Sequence, residues 1–305
     1  MMTAPANLHS TLHAACTARG LSPVGAHLIH HSSNAVFVLP EHQAVARIST
    51  GAADLPRAVR TRGLTETLSQ RGFGATAPLP EAEPLVVDDH DVSFWNFYAQ
   101  PTAAPAPTSR ELGRLLRRLH SLAVPTQIEL PRWVPLESLH AALTDPRTYS
   151  EHLRACERQR LLEMVEEVRL DIASIDWPLG EGMIHGDAWA GNLLWHNTGA
   201  ALNPILGDWD WASIGPLEVD LIPTWHAAIR FGRDREWVEA FVDEYGYDLT
   251  EFGRGFRALR RMRDLVQVSG PLRRAGASPE HAARLRQRVE GILSGDECGI
   301  WSQYA

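Results

Sequence analysis

The apolar positions of the chain change rhythm partway along it. In the first third they come in short runs; further on they recur every three or four residues over long stretches. Leu8, Leu12 and Ala15 share one face of a helix over residues 7–18. Residues 24–31, 35–39 and 44–48 are short β-like runs, and the turn Pro40-Glu41-His42-Gln43 predicts a hairpin between the last two. Residues 54–71 read as a helix ended by Gly72. Residues 85–87 and 92–97 predict another strand pair, joined by an exposed acidic turn at 88–91.

A proline-rich stretch then interrupts the pattern. Pro101, Pro105 and Pro107 can extend neither a helix nor a central strand, so residues 99–107 read as a linker. Directly after it, Thr108 and Glu111 have the spacing of a capping box, and Leu112, Leu115, Leu116 and Leu119 continue at helical spacing. Long helices are expected over 149–172, 219–231, 234–245, 250–268 and 278–293. The expected class is α+β, with a strand-rich part over residues 1–98 and a mostly helical part over 99–305.

One segment of the helical part has a different character. It runs Met183-Ile184-His185-Gly186-Asp187-Ala188-Trp189-Ala190-Gly191-Asn192-Leu193-Leu194-Trp195 and resumes at Ile205-Leu206-Gly207-Asp208-Trp209-Asp210-Trp211. Apolar pairs flank each polar cluster. The pattern predicts a loop, a strand, a turn at 197–199 and a second strand ending at Asp208. Such a hairpin brings Asn192 and Asp208 close together, and both carry hard oxygen ligands of the kind magnesium takes. Asp187 sits five residues before Asn192, placed to face whatever the metal holds.

Composition narrows the chemistry. The net charge is −8, the wrong sign for a general nucleic-acid binder, and it leaves cationic small molecules as natural partners. All 29 basic residues are arginine. That excludes a Walker-A lysine, a Schiff-base lysine and pyridoxal-phosphate chemistry on lysine. Cys16, Cys156 and Cys298 form no zinc-ligand pattern and read as free thiols of a reducing cytoplasm. No stretch has the form of a signal peptide or a membrane span, so a cytoplasmic location is expected.

The set His185-Gly186-Asp187, Asn192, Asp208 and Asp210 resembles the signature of the aminoglycoside phosphotransferase and choline kinase-like family, a branch of the protein-kinase-like fold. The resemblance implies a bilobal α+β architecture. Residues 1–98 would be a small β-rich N-lobe covering the nucleotide, and 99–305 a larger helical C-lobe with the catalytic loop and acceptor site. It implies that Asp187 is the catalytic base toward a substrate hydroxyl and that Asn192 and Asp208 hold Mg2+ on the phosphates of ATP or GTP. His185 would brace the loop, and Asp220 would support it through backbone hydrogen bonds. Asp210 has two open roles, metal ligation or contact with a substrate amine.

Arg47 falls where kinases place a phosphate-contacting lysine, a role an arginine fork can fill; the other reading is a surface arginine on an edge strand. Ser32, Ser33 and Asn34 lie in a glycine-free segment where the nucleotide-covering loop belongs and offer donors to phosphate. Trp95 and Phe97 fall at the hinge, where backbone groups meet the base. Trp189 is a candidate for lining the acceptor pocket, whereas Trp209 and Trp211 read mainly as core. The helix over 54–71 should pair a glutamate with the strand cation, but the expected register holds Thr61 or Arg62, with Glu66 one turn away.

The implied partners are a nucleoside triphosphate and a small hydroxylated acceptor, for a monomer or a homodimer. An aminoglycoside-like antibiotic, another amino alcohol or a sugar metabolite would serve, and acidic residues near the site favour a cationic one. No nucleic acid or membrane is implied. The rivals are a nucleotide-binding pseudokinase and a metal-dependent hydrolase using the same carboxylates. Arg257, Arg260, Arg261 and Arg263 share a helix with Leu259, Met262 and Leu265 and read as a solvated or ion-paired face.

Overall fold

The computed structural model of the chain describes residues 6–31 and 34–302. Its first elements are α1 (Ala6–Ala18), β1 (His27–His31), β2 (Asn34–Leu39), β3 (Ala44–Ser49), α2 (Leu55–Gln70), β4 (Leu85–Val87) and β5 (His90–Asn96). Then come α3 (Ser109–His120), α4 (Glu137–Thr144), α5 (Pro146–Tyr149), α6 (Ala155–Ala173) and β6 (Glu181–Ile184). The strands β7 (Leu193–Asn197), β8 (Leu202–Leu206) and β9 (Ser213–Pro216) precede α7 (Ile222–Phe231), α8 (Arg235–Tyr245), α9 (Gly253–Arg274) and α10 (Pro279–Ser294). Among the described residues, no helix is long and apolar enough to cross a membrane.

The chain divides into two compact units. The first takes Met1–Pro107, Ala123–Leu130 and Gly191–Ala212; the second takes Thr108–Leu122, Pro131–Ala190 and Ser213–Ala305.

The first unit is built on an antiparallel sheet in the order β1-β2-β3-β5-β4. Along β3, Ala44, Ala46 and Ile48 are buried and the residues between them are not, so the strand's two-residue period turns Arg47 away from the core. The buried face packs on Leu8, Leu12, Ala15 and Cys16 of α1, with Phe37, Leu39 and Phe94. The expected turn at 40–43 is a single 3₁₀ turn over Pro40–His42, closed by Gln43 in the left-handed region at φ 47°. The turn expected at 88–91 is tighter. Val87 already pairs with His90, leaving Asp88 and Asp89 at φ 49° and 62°, which aspartate tolerates better than most residues. Asp54 caps α2 by accepting from the Arg57 amide at 3.1 Å.

The hairpin β7–β8 pairs Leu193 with Leu206 through Asn197 with Leu202. It joins the first unit at its base, where Leu206 donates to the Gly74 carbonyl at 2.8 Å and accepts from the Thr76 amide at 3.0 Å.

In the second unit, α3 begins with the expected box: the Thr108 amide donates to Glu111 at 2.8 Å, and the Thr108 hydroxyl accepts from the Arg110 amide at 3.3 Å. Leu112, Leu115, Leu116 and Leu119 are buried. Helix α3 packs closely on α8; a Cβ at Gly113 would lie 2.6 Å from the Phe241 carbonyl oxygen, so only glycine fits there. Helix α6 starts later than the 149 expected, at Ala155, because buried Glu157 accepts from the Arg154 amide at 2.9 Å and caps the helix there. Helix α9 runs past the expected 268 to Arg274, through Pro271. Val268, Pro271, Leu272 and Ala275 are buried, and that packing outweighs the single backbone bond the proline removes. Strand β9, which pairs with β6, has no counterpart in the sequence reading.

Candidate active site

The signature is shared between the two units. His185, Gly186, Asp187 and Trp189 belong to the second, and Asn192, Asp208 and Asp210 to the first.

In the second unit the loop leaves β6 at Ile184 and turns at Gly186, whose φ of 83° suits glycine. Buried Asp220 holds this turn, accepting from the His185 amide at 2.6 Å and from the Gly186 amide at 2.8 Å. His120 approaches the same carboxylate at 3.2 Å through Nε2, and its Nδ1 lies 2.8 Å from the Tyr245 hydroxyl. Burial first, and the charge of Asp220 next, push the Tyr245 hydroxyl well above its ordinary pKa, so it remains protonated. His185 is fully buried, and its Nδ1 accepts from the Asp187 amide at 3.4 Å. The geometry thus gathers His185, Asp187 and Asp220 at one turn. Trp189, two residues past Asp187, is 49% exposed.

Asp187 is about one-third exposed, and its Oδ1 accepts from Arg263 Nη1 at 2.8 Å. Sequence reasoning missed this contact. It placed Arg263 in a uniform run, but the run fans out: Arg260 reaches Glu297, Arg261 reaches Glu167 and Asp171, and Arg263 turns to Asp187. The partners lie 76 residues apart, and no spacing rule links them. A second pairing went equally unread. Asp264 accepts from Arg230 Nε and Nη2, both at 2.8 Å, and lies 3.0 Å from His226 Nε2. Burial opposes the charge of Asp264, but Arg230 and His226 outweigh it and lower its pKa. Burial pushes His226 down to about 4, so it is neutral near pH 7.

In the first unit Arg47 points into a pocket of about 200 Å3, lined by Asn34, Asp54, Arg57, Trp95, Asp208 and Asp210, among others. Its Nη1 donates to Asp210 Oδ1 at 2.8 Å, and its Nη2 donates to Asp210 Oδ2 at 2.6 Å and Asp208 Oδ1 at 2.7 Å. With the Asn34 amide turned to suit its neighbours, its oxygen accepts from Arg47 Nε at 3.2 Å and Nη2 at 2.7 Å. Burial works against the guanidinium's charge, but Asp210 and Asp208 raise its pKa above the ordinary arginine value. Arg47 is therefore no edge-strand surface residue. Glu66 does not pair with it; that carboxylate engages Arg62 at 3.2 Å, while Thr61 faces the pocket.

Asp208 has left-handed backbone angles, φ 62° and ψ 53°, a conformation that concentrates at functional positions. Asn192 stands opposite Gly207, whose amide donates to the Asn192 carbonyl at 2.9 Å, so the hairpin sets Asn192 one residue out of register with Asp208. Trp209 is buried, and its Nε1 donates to the Leu206 carbonyl at 2.7 Å. Trp211 is 41% exposed, with Arg57 over its ring at 5.0 Å. Trp95 is buried and bonded to Ser93 Oγ at 2.9 Å. Phe97 is exposed, and its amide donates to the Gln43 carbonyl at 2.9 Å. Ser32 and Ser33 lie outside the described residues.

The donor set fits a hard divalent cation. Two carboxylates already converge on one cationic group, and the pocket is lined by four aspartates (Asp54, Asp91, Asp208, Asp210) against two arginines (Arg47, Arg57). Among the described residues no three His, Cys, Asp or Glu side chains form a metal cluster, so a full shell needs an amide such as Asn192 or phosphate oxygens. Magnesium favours such a partial protein shell.

A model of the phosphotransferase enzyme family, APH, matches residues 28–265. The chain therefore belongs to that family. No curated protein matches it. Among solved structures, a microcompartment-associated aminopropanol kinase is similar, with a TM-score of 0.68 and 16% identity over 95% of this chain and 99% of that one. An amicoumacin kinase in complex with AMP-PNP and Ca2+ has a TM-score of 0.65 and 15% identity over 96% of this chain and 95% of that one. An aminoglycoside phosphotransferase from Streptomyces rimosus has a TM-score of 0.60 and 18% identity, covering 85% and 98%. The fold is kinase-like, α+β, with its antiparallel sheet early in the chain and most of its helices later.

Proposed function

We propose that this phosphotransferase moves the γ-phosphoryl group of ATP or GTP to a hydroxyl of a small molecule, with Mg2+ on the nucleotide. The convergence of Asp208 and Asp210 on the Arg47 guanidinium carries the reading. A triphosphate alone would be repelled by a pocket with surplus aspartate, and a divalent cation held between the two would offset that repulsion. Bound there, magnesium would neutralise phosphate charge, with Asp208 and Asn192 as its protein ligands and Asp210 beside them. Arg47 keeps a fixed positive charge in the same pocket for a phosphate oxygen.

Asp187 does the proton work. The acceptor oxygen forms the new bond to phosphorus, the bond from phosphorus to the bridging oxygen breaks, and the nucleoside diphosphate leaves with that electron pair. The hydroxyl proton passes to the Asp187 carboxylate. His185 and Asp220 keep the loop in shape through the contacts described above and take no proton.

The aminopropanol kinase and the antibiotic kinases among the similar structures support an acceptor that is a small hydroxylated molecule. The test is a panel of such molecules, run with ATP and with GTP, reading release of nucleoside diphosphate. Acceptor-dependent release that Asp187→Asn abolishes establishes the reading. The second reading is a nucleotide-binding pseudokinase, favoured by α2, which sends Glu66 to Arg62 instead of Arg47. It requires nucleotide binding with no release for any acceptor.

A further inference from the structure

The face that α2 buries carries Thr61, Leu64, Thr65 and Leu68, none of them acidic, and its glutamate, Glu66, is 47% exposed against Arg62. Two of the four pocket aspartates are committed to the start of the same helix. Asp54 caps it and pairs with Arg57 at 2.9 Å, and Asp91 accepts from the Asp54 amide at 2.6 Å. That leaves Asp208 and Asp210, which meet Arg47 unequally. Asp210 is 25% exposed and takes the arginine fork on both oxygens, at 2.8 and 2.6 Å. Asp208 is 44% exposed and meets the fork through Oδ1 at 2.7 Å. Two parallel N–H···O bonds fix the plane of a guanidinium, and a single contact does not. The backbone at Asp210 is anchored on both sides. Trp209 is buried, bonded to the Leu206 carbonyl and edge-on to Phe73 at 5.8 Å, and Trp211 lies under Arg57 of α2.

We propose that Asp210 is a positioning residue of the nucleotide site: it supplies the carboxylate that α2 does not, and holds the Arg47 fork in the plane that meets a phosphate oxygen. This inference rests on the proposed phosphotransfer and assigns the open role of Asp210 within it. The turn after β8, and not α2, then sets the phosphate-binding cation. The work of the two aspartates separates. Asp208, more exposed and meeting Arg47 through one oxygen, is the one that turns to a metal. Asp210 has both oxygens on Arg47 and neither ligates the metal nor meets the acceptor. As Asp208 turns away, Arg47 regains an Nη2 donor for phosphate, while Asp210 keeps the plane of the fork. The left-handed backbone at Asp208 is what lets residues two apart face one guanidinium from a single short turn.

The test is a double-mutant cycle on the full chain, read by titration of AMP-PNP and GMP-PNP in excess Mg2+. Asp210→Asn should weaken binding of the analogue the wild-type protein takes by about 20-fold, the loss of a charged hydrogen-bonded contact. In an Arg47→Gln background the same change should cost less than about twofold, because Asp210 acts only through Arg47. Glu66→Gln should leave affinity unchanged. With nucleotide saturating, the Mg2+ concentration for half the melting shift should be the same in Asp210→Asn as in the wild type. Additive losses, a raised Mg2+ requirement, tighter binding in Asp210→Asn, or an effect on KM confined to cationic acceptors overturns the inference and leaves phosphotransfer standing. So does a loss in Glu66→Gln equal to that in Asp210→Asn. Thermal melting checks folding. Should Asp210→Asn not fold, Asp210→Glu, which moves the carboxylate by one methylene, enters the same cycle, and Arg47→Gln should erase its loss. Because the cycle reads binding, a protein that behaves as expected in it but releases no nucleoside diphosphate with any acceptor overturns phosphotransfer and keeps the role of Asp210. Absence of nucleotide binding overturns both.

Discussion

Each unit holds an arginine against a signature aspartate, but the stoichiometry differs. In the first unit one guanidinium faces two carboxylates, Asp208 and Asp210. In the second, Arg263 donates to Asp187. The first cluster keeps surplus negative charge and is suited to a stronger cation arriving with phosphate. A third site inverts the first: Glu157 of α6, almost fully buried, sits between Arg154 at 2.6 Å and Arg286 at 2.9 Å. There the surplus is positive and the outcome is structural. An ion pair by itself therefore does not tell what a cluster is for: the buried pair of Arg230 and Asp264 is structural too.

The largest expected effect divides the two units by function. Asp187→Asn should lower kcat by about a thousandfold, the scale of general base catalysis, while nucleotide affinity measured by titration changes less than twofold. Equal losses in both would dissolve the contrast. Asp208→Ala should abolish the rise in melting temperature that Mg2+ and ATP together produce, and leave melting without ligand nearly unchanged, since Asp210 still holds Arg47 through two contacts. A persisting metal-dependent shift would move the ligand role to other residues.

A smaller effect is expected behind Asp187. Asp220→Asn weakens the two amide bonds that shape the turn, so stability should fall by about 2–3 kcal/mol in denaturant titrations, with a drop in kcat exceeding that in KM. The smallest is a matter of pH. Burial disfavours the Glu157 carboxylate, but Arg154 and Arg286 outweigh burial and hold its pKa at about 2 against an ordinary 4.5. The unfolded chain binds the proton more readily, so this stabilisation is complete above about pH 4.5 and fades as pH falls toward 2. Melting followed from pH 6 to pH 3 should show that decline, and Glu157→Gln should flatten it. An identical slope in the variant would assign acid sensitivity elsewhere.

What could be read from the chain was local. The capping box at Thr108, the hairpin that sets Asn192 against Gly207, and the strand pattern that turns Arg47 from the core follow from spacings of a few residues. What could not be read was long-range or decided by neighbours. Arg263 reaches across 76 residues to Asp187, and nothing in its own helix distinguishes it from Arg260 or Arg261. The start of α6 depended on whether Glu157 would turn back to cap it. Trp209 and Trp211 read alike in the sequence, yet Trp209 is buried with its Nε1 on the Leu206 carbonyl, and Trp211 is 41% exposed.

The clasp on Asp208 and Asp210 has one more consequence. A guanidinium keeps its proton at every pH a folded protein survives, so alkalinity cannot loosen this one from its carboxylates. Near neutral pH, a rival positive charge can. Under the proposed function, loading the first unit would be a swap of one cation for another.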